Sequence, residues 1–424
     1  MSKGVKRAWE DEDDEEFKGR RTDRTPQWLQ KFEGLLYEEK EAKSDSDVPE
    51  DSDDEDAVKA LYGMSRTAAK YLTKSKFLPR MYLKASRVKD VTKAHSHDVI
   101  FYKMALVVWV LSNFHPTQPV LVLASKKGVS LFQACKAVDD LQQTRNDAFL
   151  QNVAFNNFPI DYIEFYDDAS SIVATSQKLN TYYTYNMMNG QVAQNIYPKN
   201  VGTGQKKGQG HLVRLSADGK LIAIVSKSIE VYVYEFKTMD QIHTFMASSD
   251  IVDMCFSPTD QKKLYALTVT GCCHLWDLRE IQEQKVFQDD GSFHGTVLSV
   301  SSSEQFLACG SNTGIVNVYE TTNVHLSQEP KPLYTLENLT TSVDFLHFNH
   351  NSEMLAFGSA DKAMAYRFLH TQSGTVFKNF PPKQEMLSRD YFTCTDISPH
   401  SGFAAFGNTN GGIRLYRLNH YEKY

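Results

Sequence analysis

No apolar run in this sequence is long enough to cross a bilayer. The longest, MALVVWVL at 104–111, has eight residues, where a spanning helix needs roughly 20. The N-terminus, MSKGVKRAWEDEDDEE, lacks the apolar core of a secretory signal, so the chain is expected in a reducing compartment, without disulfides. The six cysteines (Cys135, Cys255, Cys272, Cys273, Cys309 and Cys394) include no CxxC pair, the spacing that brings two thiolates to one zinc ion. They read as buried free thiols. His95 and His97 in HSHD share a face if extended, but no second Cys or His pair lies nearby. GTGQKKGQG at 202–210 has the glycines and lysines of a phosphate loop without the GxxxxGK(S/T) order or a following helical pattern; it reads as a basic loop, with Lys206 and Lys207 as candidate RNA contacts. No nucleophile, base and orienting group form a recognisable signature. The expectation is therefore no enzyme, metal, cofactor or small-molecule substrate.

Charge is present but segregated. Residues 10–16, EDEDDEE, are all acidic, and 44–56, SDSDVPEDSDDED, hold eight acids; such blocks repel themselves and bury no core, so they read as disordered. Ser44, Ser46 and Ser52 sit among these acids, where phosphorylation would deepen the charge. Between the blocks, Thr25 and Pro26 suit a helix start, and Trp28, Phe32, Leu35 and Leu36 recur at helical spacing. This predicts a short amphipathic helix near 26–42, either folded back on the chain or docked in a partner's groove. From 65 to 93 the sign reverses: Arg66, Lys70, Lys74, Lys76, Arg80, Lys84, Arg87, Lys89 and Lys93 face one acid, Asp90. That stretch is either a solvated linker or a contact for RNA phosphates.

The remainder repeats. The pattern apolar-x-apolar-aromatic ends at Phe132, Tyr185, Tyr234, Trp276, Tyr319, Tyr366 and Tyr416, at intervals of 42–53 residues. Each copy follows an alternating strand, a turn, a strand of small residues and a second turn, as in VDMCFSPTDQKKLYALTVTGCCHLWDL. Tyr and Phe, 21 and 25 in number, favour such half-buried strands. Four-stranded units of about 40–45 residues are the signature of a WD40-type β-propeller, so the fold class is all-β. The expected organisation is a charged extension over 1–75 and a seven-bladed propeller over 76–424. The propeller departs from the usual pattern: no blade has the Gly-His dipeptide, and only the Trp276 blade keeps Trp-Asp. In GCCHLWDL, Cys272 and Cys273 point to opposite faces of a strand, so packing and not metal chemistry is expected of them. After IRLYRL too little chain remains for an outer strand, so the last blade is expected to borrow one near RMYLKASRV, 80–88.

Beyond the repeat, LENLTTSVDFLHFNHNSEMLAFGSADKAMAYRFLHTQSGTVFKNFP, LACGSNTGIVNVYE, ISPHSGFAAFGNTNGGIRLYRLNHY and LPRMYLKA are specific stretches. With Trp9 before an acidic block and TPQWLQ around Trp28, they make nearly the whole chain resemble the U3 small nucleolar RNA-associated protein 18 family. The resemblance implies a nucleolar, nuclear WD-repeat scaffold of the small-subunit processome. Its implied partners are other processome WD-repeat proteins, the U3 snoRNP and pre-rRNA, touched directly or indirectly, in support of 18S rRNA maturation. Some relatives dock the exosome's helicase through a Leu-Phe-x-Asp type motif; LLYEE at 35–39 matches it poorly. The alternative is a propeller adaptor outside the nucleolus, such as a ubiquitin ligase substrate receptor, though an adaptor has no evident need of alternating acidic and basic blocks.

Overall fold

Strands with both faces apolar must be covered on both sides, and the chain does this by stacking sheets radially. A computed structural model describes residues 78–88, 111–114, 120–125, 128–133, 149–155, 158–166, 170–176, 179–198, 212–226, 228–280, 284–383, 385–386, 388–409 and 411–421. These residues form seven four-stranded antiparallel sheets, the blades of a propeller, and belong to the unit Phe77–Tyr424. Blade 1 comprises Leu111–Phe114, Val120–Ser125, Gly128–Gln133 and Phe149–Ala154; blade 2, Tyr162–Tyr166, Ser171–Thr175, Thr181–Asn186 and Gln191–Ile196. Blade 3 comprises Val213–Leu215, Leu221–Ser226, Glu230–Glu235 and Gln241–Met246; blade 4, Ile251–Phe256, Lys263–Thr268, Cys272–Asp277 and Lys285–Gln288. Blade 5 comprises Gly295–Val300, Phe306–Ser311, Val316–Glu320 and Tyr334–Leu336; blade 6, Phe345–Phe348, Met354–Gly358, Tyr366–His370 and Thr375–Val376. Blade 7 has Phe392–Ile397, Phe403–Asn408 and Ile413–Leu418, and its outer strand is Ala85–Arg87 from the other end of the chain. The borrowed strand expected at 80–88 is therefore present.

Burial follows position in the blade. Second strands such as Ser171–Thr175 and Phe403–Asn408 are wholly buried, whereas the outer strand Gln191–Ile196 is almost wholly exposed. Alternation splits each buried strand between two inter-blade cores: Tyr265 and Leu267 join the cluster with blade 5, while Leu264, Ala266 and Trp276 join the one with blade 3. The paired cysteines obey the same rule, Cys273 buried toward blade 5 and Cys272 half-buried beside Gln288.

In blades 3, 5, 6 and 7 the turns between first and second strands share one chemical device. Ser216, Ser301, Asn349 and Ser398 each accept, through the side chain, the N–H five residues ahead, at 2.9–3.0 Å. Each main-chain carbonyl also accepts the N–H three residues ahead, at 2.7–3.0 Å. The fourth position is left-handed, held by Gly219, Glu304, Ser352 and Ser401; only glycine takes that conformation without steric cost.

Register corrects one of the repeat positions. Phe132, Tyr185, Tyr234, Trp276, Tyr319 and Tyr416 each lie opposite the second residue of the preceding strand: Leu121, Ile172, Ile222, Leu264, Leu307 and Ala404. In blade 6 that place, opposite Leu355, belongs to Leu369, and Tyr366 pairs instead with Gly358 at the start of the strand. The turn from Gly358 to Tyr366 is two residues longer than those from Gly310 to Val316 and Gly407 to Ile413. The blade-closing unit is thus YRFL, not AMAY. Tyr366 is still fully buried, but its role is to pack against Phe406 and Phe392 of blade 7, with centroids at 4.5 and 4.8 Å.

Candidate functional site

The seam where the two ends of the propeller meet is built from LPRMYLKASRV. Leu78, Leu83 and Val88 are buried, and the first two enter the core with Phe345, Phe368, Phe377 and Phe380. The segment is stitched first to blade 6: the Thr375 hydroxyl donates to the Arg80 carbonyl (2.9 Å) and the Lys378 N–H to the Met81 carbonyl (3.3 Å). Asn379 then serves both sides of one residue, accepting the Leu83 N–H at 2.9 Å and donating to the Leu83 carbonyl at 2.7 Å. Beyond it the strand pairs with blade 7, Ala85 opposite Leu418 and Arg87 opposite Tyr416. Arg80, Lys84 and Arg87, candidate RNA contacts by sequence, are all exposed along this segment.

Beneath the seam lies a charge cluster. Arg414 is buried in the third strand of blade 7, donating to Glu385 at 3.0 Å and to Ser388 at 2.7 Å, and pairing with Asp390. The Tyr416 hydroxyl donates to Glu385 and meets that of Tyr366 at 2.8 Å, while Arg87 reaches Glu385 at 3.7 Å. Burial works against the Arg414 charge, but Asp390 together with the Tyr416 and Tyr366 hydroxyls more than offsets this and holds the guanidinium protonated. Burial also pushes the Tyr366 hydroxyl up to about 12. The cluster ties the 381–391 loop to the closing strand.

First strands line the central channel, a cavity of about 640 Å³. On its wall Arg214 pairs with Asp253 at 2.7 Å and stands 4.5 Å over the Tyr162 ring. The second Asp253 oxygen accepts the Leu298 N–H (3.0 Å), and Glu164 accepts the Tyr162 hydroxyl and the Leu215 N–H (3.3 Å). Burial raises Glu164 to about 7 and Cys255 to about 12, so the thiol stays protonated and a poor nucleophile. Among the described residues no group of three or more His, Cys, Asp or Glu is placed to hold a metal ion.

The structure brings Arg80, Lys84 and Arg87 together at the seam. Trp28, Phe32, Leu35, Leu36, Arg66, Lys70, Lys74, Lys76, Lys89, Lys206 and Lys207 lie outside the described residues, as do His95, His97 and the expected 1–75 extension. Sequence reasoning missed Asn379, Glu385, Asp390 and Arg414. For Arg414 the signal was the variable position x of the repeat, two residues before the closing aromatic and so on the same strand face; the other three lie in the loop before blade 7, where the repeat carries no signal. In blade 4, His274 accepts the Ser248 N–H at 3.3 Å; in blade 5, Asn317 donates to Asp289 at 3.0 Å; in blade 7, Arg414 holds Glu385. Each time, x grips the loop that enters its own blade from the preceding one.

No family model matches the chain. Among curated proteins, a U3 small nucleolar RNA-associated protein 18 homolog from Caenorhabditis elegans is 31% identical over 363 residues, covering 85% of this chain and 80% of its own. Proteins of the same description from Homo sapiens (31% identical, 84% of this chain) and Drosophila melanogaster (28%, 92%) match as well. The match spans 60% of the human relative's length and 71% of the fly's.

Proposed function

Because this chain belongs to the U3 small nucleolar RNA-associated protein 18 family, we propose that it is a non-catalytic scaffold subunit of the nucleolar small-subunit processome, supporting pre-rRNA processing and 18S rRNA maturation with the U3 snoRNP. The observation that carries this reading is coverage: identity of 31% extends over 85% of the chain, well beyond the strand-and-turn pattern that propellers share. Fold alone would not support it, since propellers serve many functions. Its partners are other WD-repeat subunits, the U3 snoRNP and pre-rRNA, and its location is the nucleolus of the nucleus. The helix expected near 26–42, with Trp28, Phe32, Leu35 and Leu36, docks in a neighbouring subunit, and the basic residues from Arg66 to Lys89, with Lys206 and Lys207, contact RNA. A propeller whose channel wall pairs its cation with a carboxylate and keeps its thiol protonated suits a scaffold better than an enzyme.

Purification of the tagged protein with sequencing of bound RNA tests this. U3 RNA and pre-rRNA are expected in the eluate, with nucleolar staining. Their absence, together with diffuse cytoplasmic staining, overturns the proposal.

A further inference from the structure

Three stretches far apart in sequence converge at the seam: 78–88, 374–391 and 411–421. Together they carry eight Lys and Arg against two acids, Glu385 and Asp390, and both acids are drawn to Arg414. Of the rest, Arg87 also reaches Glu385 and Arg417 is half-buried, whereas Arg80, Lys84, Lys378, Lys383 and Arg389 are exposed. Two bonds hold the Arg80 and Lys378 stretches side by side: the Lys378 N–H donates to the Met81 carbonyl and the Thr375 hydroxyl to the Arg80 carbonyl. Two aromatic rings in these stretches are exposed: Tyr82, 63%, between Arg80 and Lys84 in the chain, and Tyr391, 40%, at the start of the first strand of blade 7, the far end of that blade from Lys84.

We propose that this seam binds single-stranded RNA, a reading that rests on the scaffold function above and locates its RNA contact. The five exposed cations neutralise phosphates and release counterions. Tyr82, flanked in the chain by Arg80 and Lys84, offers a face on which an unpaired base stacks, an interaction that a duplex, with its bases already stacked, does not accept. Along the closing segment Tyr82 and Lys84 are exposed on either side of the buried Leu83, so the ring and the ammonium flank one fixed anchor. The channel wall is the opposite case. Asp161, Glu164, Asp253 and Asp344 line it against Arg214 and His347, a surplus of acid that repels a phosphate chain. An acidic peptide would use the cations of the seam but gain nothing specific from the rings.

The test is fluorescence anisotropy of the full-length protein with a labelled single-stranded RNA of mixed sequence, about a dozen nucleotides in length, across a salt series. Tyr82→Ala is expected to weaken binding about tenfold with its salt dependence unchanged. Arg80→Ala/Lys378→Ala/Arg389→Ala is expected to flatten the log–log salt slope by about 2, near 0.7 for each phosphate no longer neutralised. Both variants should melt with wild type, since all four side chains are exposed. Wild-type protein that does not bind the RNA, or a triple variant with the wild-type slope, overturns the seam. So does duplex RNA binding as tightly as single strand, or polyglutamate displacing the RNA at equal ionic strength while Tyr82→Ala has no effect. If the seam fails while U3 RNA still co-purifies, the scaffold reading stands. If the seam binds RNA in vitro but no U3 RNA co-purifies, the scaffold reading alone falls.

Discussion

Ring closure depends on eleven residues, 78–88, and its cost can be worked out from two of their contacts. Leu83 is 2% exposed in the core shared by blades 6 and 7, so Leu83→Ala should cost about 2–5 kcal/mol, the range for a buried leucine that leaves a cavity. Asn379→Ala removes both side-chain bonds to the Leu83 backbone and should cost about 1–3 kcal/mol at roughly 0.5–1.5 each. The two effects should not add. Once the segment has peeled away, the second substitution has nothing further to break, so the double variant should fall well short of the sum. Urea denaturation gives the free energies. Hydrogen exchange at Val88 and Asn419, whose N–H groups donate across the seam to Leu415 and Lys84 at 2.8 Å, locates the opening. Tyr82→Ala is the control and should stay within about 0.5 kcal/mol. Truncation gives the coarse version: removal of residues 1–75 should leave the melt unchanged, whereas removal of 1–100 exposes the Ile413–Leu418 edge and should lower it. Equal melts for the two truncations, or single-variant costs that add in full, would refute closure by this segment.

Arg414→Met should destabilise by about 3 kcal/mol in thermal or urea melts, because Glu385 and Asp390 lose their buried counter-charge; adding Glu385→Gln should recover part of that, and no recovery would mean that packing, not charge, sets the loss. For Glu164 the folded pKa is raised from about 4.5 to about 7, so its contribution to stability is full below about 4.5 and is lost as pH rises through about 7. Glu164→Gln should therefore melt above wild type at pH 8 and level with it near pH 4; a pH-independent gap contradicts the assignment. Trp28→Ala/Phe32→Ala should release the protein from its neighbouring subunit without changing the propeller's melt, and unaltered co-purification removes the docking helix from the proposal.

The repeat and its closure were legible because both are set by local rules. Alternation marks strands, small residues mark the second strand, and a chain that ends too soon for its last blade must borrow one. Tyr366 shows where such rules stop. Two extra residues between Gly358 and Tyr366 leave an aromatic at nearly the expected interval but in the wrong register, and a pattern count cannot weigh a turn that has no fixed length. Arg414 shows a different limit: a charged residue in a central strand argues against burial by itself, and only Glu385 and Asp390, more than 20 residues earlier, make its burial tolerable.

The same residues explain how a propeller with no Gly-His dipeptide and a single Trp-Asp holds its blades. Trp276 keeps the aromatic, stacked on Phe245 at 5.1 Å, yet its indole N–H is buried without a partner, so its contribution is packing. Polar specificity has moved to position x, where His274, Asn317 and Arg414 each bind a different loop with different chemistry. A ring held by one repeated network would present seven similar junctions. With a different bond at each of these three junctions, the one at the seam can carry an outward surplus of cations while the acids that balance Arg414 are drawn to it. Charge asymmetry on this propeller is thus a product of how its blades are locked, and the surface offered to a partner follows from the lock beneath it.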